Sequence, residues 1–302
     1  MSETGSAAAR GTAALLRRFV KPRLEKLIRR GQAAQHFVAQ HWPQQNAPFG
    51  QHVFGDWLPA EGDRLGATLV YLHGGGFLLG SPRLFRYASK TFARAGFDVF
   101  APAYRLAPEH PFPAALDDAL RAWRALLAAT QGPVVLAGDS AGGGLAVSLM
   151  LRARDEGLPL PSAVALFSPW TDLAATGASA RENEETDALF SRRLILVGAR
   201  AVLGRTSGRN PLASPLYADL SGLPPLLAHV GRDEVLRDDS TRLVEKAREA
   251  GVAAEIEIWP DVPHAWQLTP FIPEARLSRE KAIAFLKREL TRDAAAPARA
   301  PR

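Results

Sequence analysis

The chain of 302 residues has no cysteine and only two methionines. Without cysteine there is no disulfide framework, no thiol nucleophile, no zinc ribbon and no iron–sulfur ligation, and the redox compartment leaves no mark on the sequence. Any nucleophile must be an oxygen or a nitrogen. Long apolar runs are missing as well: nothing approaches the roughly 20 residues of a membrane span. The N-terminus lacks the unbroken apolar core and small-residue cleavage site of a signal peptide, so a cytoplasmic location is expected. A basic body is absent too. The formal charge is +6, but residues 1–30 hold eight Lys/Arg against two Glu, which is the whole excess. Positive charge confined to one end does not make a phosphate-binding face, so nucleic acid is disfavoured as a partner.

With 47% apolar and 23% charged residues, the sequence can bury a sizeable core. In the N-terminal segment Leu15, Leu16, Phe19, Val20, Leu24, Leu27 and Ile28 recur at helical spacing between basic residues. This predicts an amphipathic helix, bent at Pro22, whose apolar stripe packs on the chain itself rather than on a membrane surface. Beyond it, β-rich runs at Ala67–Leu72, Phe97–Phe100, Val134–Ala137, Ala163–Phe167, Leu226–Val230 and Glu255–Trp259 alternate with helical stretches near 84–95, 114–130, 144–155 and 240–250. Such alternation predicts an α/β fold, a mostly parallel sheet with helices on both faces. The stretch 173–209 breaks the rhythm and reads as a helical insertion over the sheet. The expected organisation is therefore N-terminal cap helices at 1–45, a core at 46–172 and 210–292, a cap insertion at 173–209 and a disordered tail at 293–302.

The chemistry begins where the apolar strand Val134–Ala137 runs into Gly138-Asp-Ser140-Ala-Gly142 and then a helix. A strand–turn–helix around G-x-S-x-G is the context of a nucleophile elbow, in which small neighbours leave the serine hydroxyl exposed above the sheet. The helix that follows aims its first amides, that of Ala141 foremost, at the same spot. A second signal is the strand Ala67–Leu72 ending in His73-Gly74-Gly75-Gly76. Its backbone N–H groups, unshielded by side chains, can converge on an oxyanion, where losing one donor costs roughly 10² to 10³ in rate.

These residues resemble the hormone-sensitive-lipase-like branch of the α/β-hydrolases, carboxylesterases marked by HGGG and GDSAGG. The likeness extends to Tyr104–Ala114, to Ser168-Pro-Trp-Thr-Asp172, to Asn210–Leu216 and to His264-Ala-Trp266. It implies an α/β-hydrolase fold with a helical cap, a Ser–acid–His triad in that chain order, an oxyanion hole, and no metal or organic cofactor. Seven histidines compete for the role of base. His36, His41 and His52 precede the core, His73 opens the glycine loop, His110 lies in a Pro-rich loop and His229 inside an apolar strand. His264 follows the last strand on a loop stiffened by Pro260 and Pro263, where the resemblance puts the third triad member.

Two adjacent carboxylates, Asp233 and Glu234, follow the strand Leu226–Val230, and either could orient an imidazole. In the family's pattern the acid stands two before a Leu and four before an Asp. Leu236 and Asp238 thus select Glu234, a departure from the Asp that most members carry. The mechanism implied is acyl transfer. His264 takes the Ser140 proton, Ser140 attacks an ester carbonyl, and the oxyanion is held by Ala141 and two of Gly74, Gly75 and Gly76, with Gly75 and Gly76 the preferred pair. Asp139 is read as structural, and Arg105 with Glu109 as a brace for the loop below. The expected partner is a small-molecule ester, with a short acyl chain, and a homodimer is compatible with the sequence. An amide or formamide hydrolase with the same triad, and a non-catalytic small-molecule binder on this fold, stand as alternatives.

Overall fold

In the computed structural model, which describes residues 4–29, 47 and 53–295, seven strands form one sheet in the order β1-β3-β2-β4-β5-β6-β7. They are β1 (Gly55–Leu58), β2 (Thr68–Leu72), β3 (Asp98–Pro102), β4 (Val134–Asp139), β5 (Val164–Phe167), β6 (Leu226–Gly231) and β7 (Ala254–Trp259). β1 alone runs antiparallel, at the edge beside β3. The other six are parallel and correspond to the six apolar runs of the sequence.

Central strands of a parallel sheet are covered on both sides, so they read as near-continuous apolar runs; β2, β4, β5 and β6 are buried along their whole length. Their side chains alternate between two layers. Val70, Leu72, Leu136 and Leu166 enter a core with the helices α4 (Ala114–Ala129) and α5 (Ala141–Asp155). Leu69, Tyr71, Val135 and Phe167 face the opposite core, with α3 (Arg86–Arg94) and the long C-terminal helix α9 (Pro273–Ala295). Between them in the chain come α6 (Ser179–Glu182), α7 (Arg192–Leu203) and α8 (Arg237–Glu249). The sequence reading starts a disordered tail at Asp293, but α9 continues through Ala295 and Asp293 accepts a hydrogen bond from Ser162.

The chain leaves β2 toward β3 on one side and returns to β4 on the other. The loops after β2 and β4 therefore part and open a crevice at the carboxyl ends of the strands, the place where ligands bind in such sheets. The glycine loop and Ser140 sit at those two strand ends.

The N-terminal segment forms α1 (Ala7–Leu15), a π-helical turn at Leu16–Val20 and α2 (Lys21–Arg29). Helix continues through Pro22, where a bend is expected, and the irregularity lies one turn earlier, in that π turn. Pro22 has no N–H to give the preceding turn, and just before it the ladder widens so that the Lys21 N–H reaches the Leu16 carbonyl. The stripe expected to be buried is so only in part: Leu16, Val20 and Leu24 are half-buried, whereas Leu15 and Phe19 are 61% and 48% exposed. The fully buried positions of this segment are Ala9, Ala13 and Lys21. α1 packs on α9 and α2 on α7. No helix among the described residues is long and apolar enough to cross a membrane.

Candidate active site

Ser140 joins β4 to α5 with φ 52° and ψ −122°, a left-handed conformation that costs a non-glycine residue on the order of 1–3 kcal/mol. The surroundings hold it there. Its N–H donates to the Phe167 carbonyl (2.8 Å), and its own carbonyl accepts from Gly144 (3.1 Å) and Trp170 (2.9 Å). Gly142 is required by space, since a Cβ there would lie 2.1 Å from the Leu72 carbonyl oxygen. The elbow is thus pressed against the end of β2, within reach of the glycine loop.

In that loop Gly75 has φ 110°, and a Cβ on it would meet the Leu79 carbonyl oxygen at 2.0 Å. The three amides are not equivalent. The Gly74 N–H donates to Asp139 Oδ1 at 3.1 Å, which removes Gly74 from the candidate oxyanion donors. The N–H groups of Gly75 and Gly76 make no hydrogen bond among the described residues. Ala141, first residue of α5, has no helical carbonyl to donate to. Asp139, buried and also bonded to the Tyr71 hydroxyl (2.8 Å), has its carboxyl raised to about 6 by burial, against the hydrogen bonds that favour its charge.

His264 and Glu234 meet in a buried pair, with Nδ1 2.6 Å from Oε2. The other carboxylate oxygen accepts the Gly231 N–H (2.6 Å) and the Ser168 hydroxyl (2.7 Å). Ser168 in turn accepts the Ala265 N–H at 3.2 Å, so the histidine loop is tied to the end of β5, the strand beside Ser140's own. Burial acts to lower the His264 pKa. The Glu234 carboxylate, through charge and hydrogen bond, outweighs it and raises the group above its ordinary 6.5, with Asp187 and Asp139 adding to the effect. His264 Nε2 is buried without a hydrogen-bond partner among the described residues, as is common before substrate tightens a site. The neighbouring Asp233 is half-buried and lies 3.7 Å from the Arg232 guanidinium instead.

The remaining histidines have other employment. His73 Nδ1 lies 2.7 Å from the Gly74 carbonyl and its ring stacks on Tyr104; burial lowers its pKa to about 4. His229 bonds Ser278 (2.7 Å) under the sheet and is lowered to about 3, again by burial. His110 is exposed, and His36, His41 and His52 lie outside the described residues. The expected Arg105–Glu109 brace is replaced by a bidentate pair from Arg105 to Asp118 (2.8 and 3.0 Å), because the helix α4 brings that carboxylate back over the loop. Ser168, Asn183 and Asp187, all close to the acid, went unassigned in the sequence. Only Ser168 carried a signal there, standing at a strand end within Ser168-Pro-Trp-Thr-Asp172.

A strained serine above a doubly covered sheet, free amides beside it and an imidazole held by a buried carboxylate are the equipment of nucleophilic acyl transfer. They make these strand ends the candidate active site of a hydrolase on an α/β-hydrolase sheet. A family profile described as alpha/beta hydrolase fold matches residues 69–268. An acetyl-hydrolase of Streptomyces hygroscopicus is 46% identical over 241 residues, covering 78% of this chain and 80% of that protein. An esterase of Acinetobacter venetianus is 37% identical over 213 residues, 69% of this chain and 70% of the relative. Among solved structures, EstE5 superposes with a TM-score of 0.82 at 35% identity, over 95% of this chain and 99% of that one. An esterase from the bacterial hormone-sensitive lipase family gives 0.81 at 38%, over 96% and 100%. The chain belongs to the α/β-hydrolase-fold family, in its hormone-sensitive-lipase-like branch. It is an ester hydrolase.

Proposed function

We propose that the chain hydrolyses short-chain carboxylic esters through a Ser140–His264–Glu234 triad and a serine acyl-enzyme. The observation that carries this reading is the 2.6 Å contact between Glu234 and His264 Nδ1, which leaves Nε2 as the nitrogen free to take a proton. His264 removes the Ser140 proton as the hydroxyl attacks the ester carbonyl. The amides of Gly75, Gly76 and Ala141 receive the charge on the carbonyl oxygen. Collapse expels the alcohol, protonated by His264, and water activated by the same imidazole releases the acid. Glu234 fixes the tautomer and stabilises the imidazolium.

The helices α1 and α2 and residues 173–209 together form the cap in this reading, and residues 30–45, assigned to the cap in the sequence, lie outside the described residues. Its support is the contact of α2 with α7 and a cavity of about 200 Å³ bounded by Arg10, Ala13 and Arg17 on one side and Glu234 and His264 on the other. The acetyl-hydrolase relative agrees with a small acyl group. A panel of 4-nitrophenyl esters from acetyl to dodecanoyl, with matched anilides, tests the proposal. Turnover peaking between acetyl and hexanoyl is expected; preference for anilides, or for long chains at an oil–water interface, would refute it. A phosphonate probe should add to Ser140, as mass spectrometry of the labelled peptide would report.

A further inference from the structure

Asp187 lies in the insertion between α6 and α7, outside any catalytic motif, and is 1% exposed. Burying a carboxylate is unfavourable unless hydrogen bonds replace its water, and here three backbone donors do so. Oδ1 accepts the N–H groups of Leu189 (2.7 Å) and Phe190 (2.8 Å). Oδ2 accepts the N–H of Val235 (2.7 Å), the residue next to Glu234. One side chain therefore joins two segments that each touch the catalytic pair. Val235 continues the acid loop, and the Phe190 ring meets the His264 ring edge-on at a centroid distance of 4.8 Å.

We propose that Asp187 is a positioning residue for the reaction: its carboxylate clamps the cap insertion to the acid loop and so sets the place of both Glu234 and the His264 ring. The proposal rests on the triad reading above. Asn183 reinforces the clamp, donating from Nδ2 to the carbonyls of Arg232 (3.0 Å) and Glu234 (2.8 Å). From the N-terminal side, Lys21 Nζ donates to the carbonyl of Asp187 itself (3.1 Å) and to that of Glu184. Acid loop, insertion and N-terminal helix are thereby one connected assembly.

The choice of a carboxylate follows from donor counting. Three N–H groups approach the two oxygens from two sides, and only an ionised carboxyl accepts on both. An amide would turn an NH₂ toward either Val235 or the Leu189–Phe190 pair, donor against donor. The charge has a second effect. Among the groups around it, Glu234 and Asp187 are negative neighbours of the His264 imidazole, with Asp139 contributing from β4, and together they raise its pKa; burial and the Glu234 charge raise that of Asp187 in turn. The Lys21 ammonium faces the main chain of the same turn.

The test is steady-state kinetics against pH for wild type, Asp187→Asn and Glu234→Gln, with thermal unfolding of each. Asp187→Asn is expected to lower kcat by about 10- to 100-fold, the scale of a small misplacement at the reacting centre, with KM within about threefold of wild type. Its acid limb in kcat/KM should move to lower pH, because a negative neighbour of His264 has been neutralised. A residue important only for stability would lower Tm and leave that limb in place. Wild-type kcat and an unmoved limb in folded Asp187→Asn, alongside an inactive Glu234→Gln, would overturn the proposal while sparing the triad. An active Glu234→Gln would instead remove the triad reading itself. Should Asp187→Asn fail to fold, Lys21→Met loosens the same assembly from outside. It should reduce kcat about two- to fivefold at unchanged KM, and wild-type kcat there would overturn the proposal.

Discussion

Replacing Glu234 by glutamine preserves shape and removes charge, and the surroundings dictate how the amide must sit. In the wild type Oε1 accepts two hydrogen bonds, from Gly231 N–H at 2.6 Å and Ser168 Oγ at 2.7 Å, while Oε2 faces His264 Nδ1. If the glutamine oxygen keeps the Oε1 position, its NH₂ donates to Nδ1. The imidazole proton then moves to Nε2, the nitrogen that must be bare to accept the serine proton. This wrong tautomer costs about 10⁴ in kcat in a serine protease triad. If the amide flips, the NH₂ meets the Gly231 N–H. Leaving that buried donor unpaired costs about 1–3 kcal/mol, and losing the charge-assisted bond to His264 about 1.5–3 kcal/mol more. At 1.4 kcal/mol per decade the flipped form still loses about 10² to 10⁴. A fall in kcat/KM of at least about 10² is therefore expected either way. Asp233→Asn, at a half-buried carboxylate 3.7 Å from the Arg232 guanidinium, should stay within about threefold. The assay is initial-rate hydrolysis of 4-nitrophenyl acetate at pH 8, with circular dichroism to verify folding. A loss below tenfold for Glu234→Gln, or a larger loss for Asp233→Asn, would refute the assignment of the acid.

Three further outcomes are expected. Ser140→Ala should lose turnover by about 10⁶, while Ser140→Gly should be equally inactive yet unfold at a higher temperature than the alanine variant, because glycine accepts φ 52° without strain; equal melting temperatures would show that the elbow stores none. His264 must be neutral to act as base and its pKa is raised, so kcat/KM should rise with pH through an acid limb centred above 6.5; a midpoint below that value would mean that burial outweighs Glu234. Deleting residues 1–29 removes Lys21 and the wall of the cavity at Arg10 and Arg17, so hydrolysis of soluble esters should fall at least tenfold without any lipid present; full activity would detach this helix from the site.

Much of this architecture was legible because long apolar runs and glycine turns have few structural meanings. The six parallel strands, the elbow at Ser140 and the loop at Gly74–Gly76 all belong to that kind. β1 escaped because Gly55–Leu58 is four residues long with only Leu58 buried, so neither length nor alternation marks it. The helix α9 escaped because its apolar and charged residues are mixed around the axis, leaving only a weak amphipathic signature. The outward Leu15 and Phe19 show the opposite failure, in which a helical stripe is real but the neighbours pack against its alanines. Asn183 and Asp187 were invisible for a different reason. They act on backbone groups some fifty positions away, and backbone donors and acceptors are the same at every residue. Gly74 is the same kind of case, its amide taken by a side chain that only the sheet register brings near.

The bond from Gly74 to Asp139 has a mechanical consequence. Asp139 immediately precedes Ser140, so the end of the strand that carries the proposed nucleophile grips the start of the loop that carries the amides of Gly75 and Gly76. The Ser140 hydroxyl and the proposed oxyanion donors therefore ride on a single splice between adjacent strands β2 and β4. Breathing of the outer strands, or adjustment of the helices above to substrates of different shape, displaces both parts together and preserves the spacing on which charge stabilisation depends. Substrate range can then drift through changes in the roof while the distance between the two halves of the reaction centre stays constant.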